Sequence, residues 1–473
     1  MSKTIRELAS DFESGRVTAV QLVENALNRL EQKQVEYHVT LSTARERALL
    51  RARGVDEAYA AGKPMGRLAG IPFIAKDNFL TFGTTTTAAA KILENFEAPY
   101  QATSIEKLEG EGAIMIAKAN LDAFAHGSST ENSYYGATKN AVDPIRVPGG
   151  SSGGSATAVA LGIVPFALGS DTGGSIRQPA SLSGVYGVKP TYGLVSRFGV
   201  VAMASSTDTI GALTNTADDL ALVMDVIAGK DERDSTTLPD LTKSLLIADN
   251  QPQKLKIGLV KEYMTSDVQP EVREAIQRRV EDLRVLGHHV EEVSLPSLKL
   301  ALAVYYIVVP AEISSNLSRY DGIKYGLSAE QANSLDEVYG LTRDQGFMAE
   351  NKRRILIGTY VLSSGYYDAY YRKAQTARTV LINEFKKTFE AYDMLIGPVS
   401  PTTAFKLGEN TDDPLKMYLA DIMTVAASLA GLPAVSVPSG TDSQSLPVGL
   451  QLIGKQRDDG LLFAVAQQLE GVN

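Results

Sequence analysis

Polar caps and apolar stripes alternate in a helical rhythm through the first thirty residues. Thr4 with Glu7 and Thr18 with Gln21 have capping-box spacing, and Gly15 stands where a first helix should stop. Val20, Val23, Leu27 and Leu30 then form one stripe on a second helix. From about residue 68 the rhythm changes to short apolar runs, Ile71–Ala75, Ala113–Ala117 and Ile163–Leu168, each ending in a polar or Gly-rich turn. Runs of this kind with helical material between them predict buried strands of an α/β sheet. A more charged stretch begins near Lys230, with strands expected at Lys256–Val260 and His289–Val293 around a charged helix, Pro270–Leu286. Apolar runs return at Met394–Gly397, Ala434–Val437 and Val448–Ile453. The simplest organisation is one α/β domain spanning 1–473, with an N-terminal helical segment (1–65) and a more charged helical insertion at about 230–390.

Composition narrows the chemistry. The 473 residues are 44% hydrophobic and 21% charged, as in ordinary soluble globular proteins. A net charge of −9 argues against a chain that grips nucleic acid through its own basic face. There is no cysteine, which excludes disulfides, thiolate nucleophiles and Cys-ligated zinc. The N-terminus lacks a basic-then-apolar leader pattern, and no 18-residue run is free of charge and turn residues, so a soluble cytoplasmic protein is expected, with no membrane contact.

The stretch from Gly149 to Ala180 sets two Gly/Ser-rich turns on either side of an apolar segment of small residues. Glycines beside a serine let backbone N–H groups face a ligand, which suits a nucleophile beside an oxyanion hole. The chain has only four histidines, His38, His126, His288 and His289, and no paired spacing that would suggest a metal site. Gly149–Gly153 satisfies the G-x-S-x-G elbow pattern, but Arg146-Val147-Pro148 is a poor strand end before it. Only His288 or His289 could complete a serine triad in the required order, and both read as exposed strand-end residues. Lysine can replace histidine as the base if burial makes it neutral; moving its pKa from about 10.4 to near 7 corresponds to roughly 4–5 kcal/mol. Lys76 and Lys118 each end an apolar run, and the local pattern does not separate them.

Three segments, Lys76-Asp77-Asn78, Gly149–Ser155 and Gly169–Pro179, resemble the amidase signature family. The resemblance implies an α/β/α sandwich around a mixed, mostly parallel β-sheet. It implies Ser175 as nucleophile, Ser151 with a cis peptide as proton relay, Lys76 as neutral base, and the N–H groups of Thr172, Gly173 and Gly174 as oxyanion hole. Further segments, including Lys189–Gly193, Ala311–Leu317, Leu362–Tyr371, Asp413–Tyr418 and Pro447–Gly454, are similar to one branch, the A subunits of tRNA-dependent amidotransferases. For that branch the resemblance implies a glutamine substrate. Arg354 would hold its α-carboxylate and Asp421 its α-amino group, with Tyr305 and Ser128 lining the pocket. It also implies a heterotrimer with a B subunit, which binds tRNA and uses ATP and Mg²⁺, and a small C subunit. This chain has no phosphate-binding GxxxxGK[ST] loop, and no cofactor is expected in it. His126 stands where relatives carry methionine, in a loop expected to border the pocket, and an ordinary histidine there would titrate near neutrality. A free-standing amidase and a non-enzymatic scaffold are the competing readings. The first predicts indifference to Arg354, and the second is disfavoured by the presence of Lys76, Ser151 and Ser175.

Overall fold

The computed structural model describes residues 3–239, 244–247, 252 and 254–472. Both N-terminal helices form where their caps predict, α1 (Ile5–Glu13) and α2 (Ala19–Tyr37), each with a complete capping box. A short strand β1 (Thr40–Thr43) and a third helix α3 (Arg45–Ala60) follow, and the hydrophobic pattern predicts neither. The reason is legible in α3 itself, where Ala48 and Ala52 are the only buried side chains, too small to mark an apolar stripe.

The strands β2 (Pro72–Lys76), β3 (Ile114–Ala119) and β4 (Phe166–Asp171) lie within a few residues of the apolar runs that announce them. Helices α4 (Thr103–Gly110) and α5 (Gly153–Ala160) fall between them. Helix α6 (Arg177–Ser183) leads to β5 (Tyr186–Lys189), β6 (Thr209–Thr214) and α7 (Ala217–Ile227). The charged region supplies β7 (Lys256–Val260), α8 (Pro270–Val285), β8 (His289–Val293), α9 (Ala301–Asn316), α10 (Leu335–Gly346), α11 (Ala349–Leu362) and α12 (Lys373–Thr388). The chain closes with β9 (Met394–Pro398), α13 (Pro414–Leu419), α14 (Val425–Leu429), β10 (Ala434–Thr441), β11 (Pro447–Gly454) and α15 (Asp459–Glu470).

Among the described residues, all eleven strands join one sheet in the order β1-β3-β2-β4-β6-β5-β10-β11-β9-β7-β8. The sheet is mixed, as expected, but it is not mostly parallel: six of its ten neighbouring pairs are antiparallel. The correction has a physical cause. Helices cover both faces, so parallel and antiparallel strands alike become continuous apolar runs, and direction leaves no mark on the pattern. Alternation along each strand divides the core in two. Phe73, Ala75, Met115, Phe166 and Leu168 face the larger cluster, whereas Ile74, Ile114, Ile116 and Ala167 face a second cluster under α2 and α5.

Residues 296–319, which include α9, are long and apolar enough by length and composition to cross a membrane. Here α9 packs against α11, α12 and α14, and Tyr305 on its buried side reaches the loop after β4.

Candidate active site

The end of β2 separates the two candidate lysines. Lys118 lies beside Ala75 in the parallel β2–β3 register, so the one-residue offset of Lys76 turns its side chain to the opposite face. Lys118 forms a buried ion pair with Asp77 at 2.8 Å and reaches Thr86 Oγ1 at 3.0 Å. That is a structural role. Lys76 is fully buried and has hydroxyls around it instead: Ser151 Oγ at 2.7 Å, Ser152 Oγ at 3.0 Å and Ser170 Oγ at 3.0 Å. Burial pushes its pKa from the ordinary 10.5 down to about 7, against the opposing fields of Asp122, Asp171 and Asp208.

Ser151 is held by the turn that precedes α5. Gly149 takes φ +85°, the Gly150–Ser151 peptide is cis, and the Gly150 N–H donates to Gln178 Oε1 at 2.9 Å. A side chain on Gly150 would fall on the Asp122 carboxylate, which itself accepts from the N–H groups of Thr130 and Asn132. Ser175 follows β4 in the second Gly/Ser turn and is 8% exposed. Its carbonyl accepts the Ser152 N–H at 3.0 Å, which ties the two turns together.

A buried ion pair shapes the Ser175 turn. Arg177 contacts Asp171 through Nε at 3.0 Å and Nη2 at 2.9 Å, and also donates to Thr424 O, Gln451 Oε1 and Ser428 Oγ. The Asp171 carboxylate in turn accepts the N–H groups of Gly174 and Ile176. The expected oxyanion hole is corrected at this point: the Gly174 N–H is already engaged, leaving Thr172 and Gly173 of the three amides. Gly173 must be glycine because a side chain there would strike the Tyr305 hydroxyl. A cavity of about 220 Å³ opens beside this turn, with Asn78, Ser170, Thr172 and Asp208 in its wall.

A second cluster faces the same turn. Arg354 on α11 is 3% exposed, lies over the rings of Tyr306 and Tyr418, and donates through Nε to Glu350 at 2.8 Å. Its Nη groups donate to no protein acceptor among the described residues. Asp421 accepts from Ser128 Oγ at 2.8 Å and from the Tyr306 hydroxyl at 3.3 Å. Burial pushes the Asp421 carboxyl up to about 7, opposed by the Ser128 hydrogen bond and the Arg354 charge. Thr424 links this cluster to the nucleophile turn, because its hydroxyl contacts both Asp421 O and Gly173 O. The structure therefore brings Lys76, Ser151, Ser175, Thr172, Gly173, Gly174, Tyr305, Ser128, Arg354 and Asp421 into one continuous region.

The elbow alternative has no support. His288 contacts Leu255 N and Gln468, and His289 is exposed beside Glu291, both at the β8 edge of the sheet, far along the strand order from β2 and β4. His126 also departs from expectation. It is fully buried, and burial together with the nearby Arg354 charge keeps it well below the ordinary histidine range, so it does not titrate near neutrality. Sequence pattern alone does not single out Asp122, Asp171, Arg177 or Asp208. Asp171 and Arg177 sit inside the signature segment, but their burial as a pair depends on α14 and β11, more than two hundred residues away. Among the described residues no group of three or more His, Asp or Glu is placed to hold a metal ion.

The amidase family model matches residues 21–463. The chain belongs to the amidase family. Within the family it is 51% identical over 472 residues to the A subunit of the glutamyl-tRNA(Gln) amidotransferase of Thermosynechococcus vestitus, covering 98% of this chain and 97% of that protein. The crystal structure of the corresponding protein from Thermotoga maritima matches with a TM-score of 0.79 and 41% identity, over 96% of this chain and 91% of that one. A crystal structure described as an amidase matches with a TM-score of 0.84 and 31% identity, over 99% of this chain and all of that one.

Proposed function

We propose that this chain is the glutamine-hydrolysing subunit of a tRNA-dependent amidotransferase and works in the cytoplasm. The observation that carries the reading is the pairing of an open Arg354 fork with a Ser128-held Asp421 carboxylate beside the Ser175 turn. A free amino acid bears opposite charges on one carbon, and this pair offers the matching opposite charges; a simple acyl amide would need neither. The side-chain amide of glutamine then extends towards Ser175, under Tyr305.

Ser175 Oγ attacks the amide carbon while its proton passes to Ser151 and on to Lys76, which burial keeps available as a neutral base. The N–H groups of Thr172 and Gly173 receive the developing oxyanion. The relay returns the proton to the leaving nitrogen, the C–N bond breaks, and ammonia departs. Water then attacks the Ser175 glutamyl ester with the same relay as base, releasing glutamate. The ammonia serves a B subunit that activates Glu-tRNA(Gln), or Asp-tRNA(Asn) by the same chemistry, with ATP and Mg²⁺. A small C subunit completes a heterotrimer. The net charge of −9 agrees with tRNA being held by the partner.

The test is glutamine hydrolysis by the purified chain, alone and with B and C subunits, in wild type and Arg354→Ala. Removing one charged hydrogen-bonding partner of the substrate should lower kcat/KM for glutamine by roughly 10- to 150-fold. Activity on simple amides that is indifferent to both the partners and Arg354 would overturn the reading in favour of a free-standing amidase.

A further inference from the structure

We propose that His126, as its Nε2–H tautomer, is a further substrate-binding donor that joins Arg354 on the α-carboxylate of the amino-acid substrate. The inference rests on the glutaminase reading and deepens it by adding a residue that discriminates for that carboxylate.

The tautomer follows from the neighbours of His126. Asn351 on α11 has its side-chain amide oriented from both ends: Oδ1 accepts the Met348 N–H at 3.1 Å, and Nδ2 donates to the Ala123 carbonyl at 2.8 Å. The second Nδ2 hydrogen therefore points at His126 Nδ1, 2.7 Å away, which makes Nδ1 an acceptor and puts the proton of the neutral ring on Nε2. Both burial and the Arg354 charge oppose a second proton on the ring. His126 Nε2 is then a buried donor, and it has no hydrogen-bond partner among the described residues. Buried N–H groups are seldom left unpaired, so this one points to an acceptor that arrives with a ligand.

The surroundings identify that ligand as an anion. Asn351 and Arg354 are three residues apart on α11 and share a face, and the ring that Asn351 holds feels the Arg354 charge. Ser128, two residues beyond His126, holds the Asp421 carboxylate. The loop that carries both is rigid: Asp122 accepts from Thr130 and Asn132, and the Asn132 side chain donates to the His126 carbonyl at 2.8 Å. One short loop thus offers a donor on the Arg354 side and an orienting hydroxyl on the Asp421 side.

The experiment compares wild type, His126→Met and His126→Gln in the assembled complex. The substrates are glutamine and 4-aminobutanamide, which is glutamine without its α-carboxylate. Loss of a hydrogen bond to a charged group should raise the KM for glutamine in His126→Met by about tenfold, with kcat changed less than about twofold. His126→Gln, which keeps an N–H donor at nearly the same reach, should recover most of that loss. Turnover of 4-aminobutanamide should be equal in all three proteins, which also verifies that the variants are folded. An unchanged KM for glutamine in His126→Met, or an equal loss on both substrates, would overturn the inference while leaving the glutaminase reading intact. A wild-type complex that fails to hydrolyse glutamine would overturn both.

Discussion

Lys76 and Lys189 show why burial alone does not make a base. Burial is the leading cause that pushes each down to about 7, yet the Lys189 ammonium donates to the Pro190 carbonyl, whereas Lys76 meets three serine hydroxyls. The sign of the pH dependence follows. Below about pH 7 Lys76 is protonated and cannot accept the Ser151 proton, so kcat should fall about tenfold per pH unit on the acid side and level off above 7. Asp421 is also raised to about 7 by burial and must be ionised to hold an ammonium group. For kcat/KM the acid limb should therefore be steeper than for kcat, approaching two protons. Steady-state profiles from pH 5.5 to 9 check this, and a kcat independent of pH across 7 would exclude Lys76 as the base. Sequence pattern places Lys76 and Lys118 at the ends of equivalent runs and does not choose between them. Their difference lies in strand register, which puts one beside Asp77 and the other beside Ser151.

At the scale of the element, the Ser175 turn depends on a charge pair as well as on its own glycines. Burial pushes the Asp171 carboxyl up, but Arg177, together with the Lys189 charge and the Ile176 N–H, more than offsets this and holds it below the ordinary carboxylate range. Removing Arg177 would leave that buried carboxylate uncompensated, so Arg177→Met should cost about 3–5 kcal/mol of folding free energy. A urea titration reads this as a lowered midpoint with an unchanged slope. An unchanged midpoint would show that the turn does not rely on the pair. Gly173→Ala tests a different aspect of the same turn. The added methyl meets the Tyr305 hydroxyl, so the turn or the tyrosine must shift, and glutamine turnover should fall while the urea midpoint moves by less than in Arg177→Met. The strand ends that carry these turns are readable from apolar runs, because a buried strand with a Gly/Ser exit has few other appearances. The Asp171–Arg177 pair is not, since its remaining partners, Thr424, Ser428 and Gln451, come from the far end of the chain.

Across the whole molecule, the charged region from 230 to 390 looks separable in composition but not in topology. Its strands β7 and β8 extend the sheet through β9, and β9 pairs in turn with β11 of the central strands. Its helices α9 and α11 carry Tyr305 and Arg354 to a turn built by β4 and α6. The charge that marks the region in sequence belongs to its solvent faces, as on α8, where Val272, Ala275, Ile276, Val280 and Leu283 are buried beneath a highly charged exterior. Composition reads the exterior, and strand pairing is decided by the interior, so the apparent boundary is legible and the continuity of the sheet is not. Site and sheet should therefore fail together. In urea, loss of glutaminase activity and loss of far-ultraviolet circular dichroism should share one midpoint, because no opening of 230–390 leaves the Ser175 turn with its Tyr305 and Arg354 partners. Activity lost at clearly lower urea, with most of the secondary structure retained, would mean that this region opens as a unit of its own. The pairing of β9 with both β7 and β11 favours the single transition, since releasing the region also strips an internal strand of one of its two neighbours.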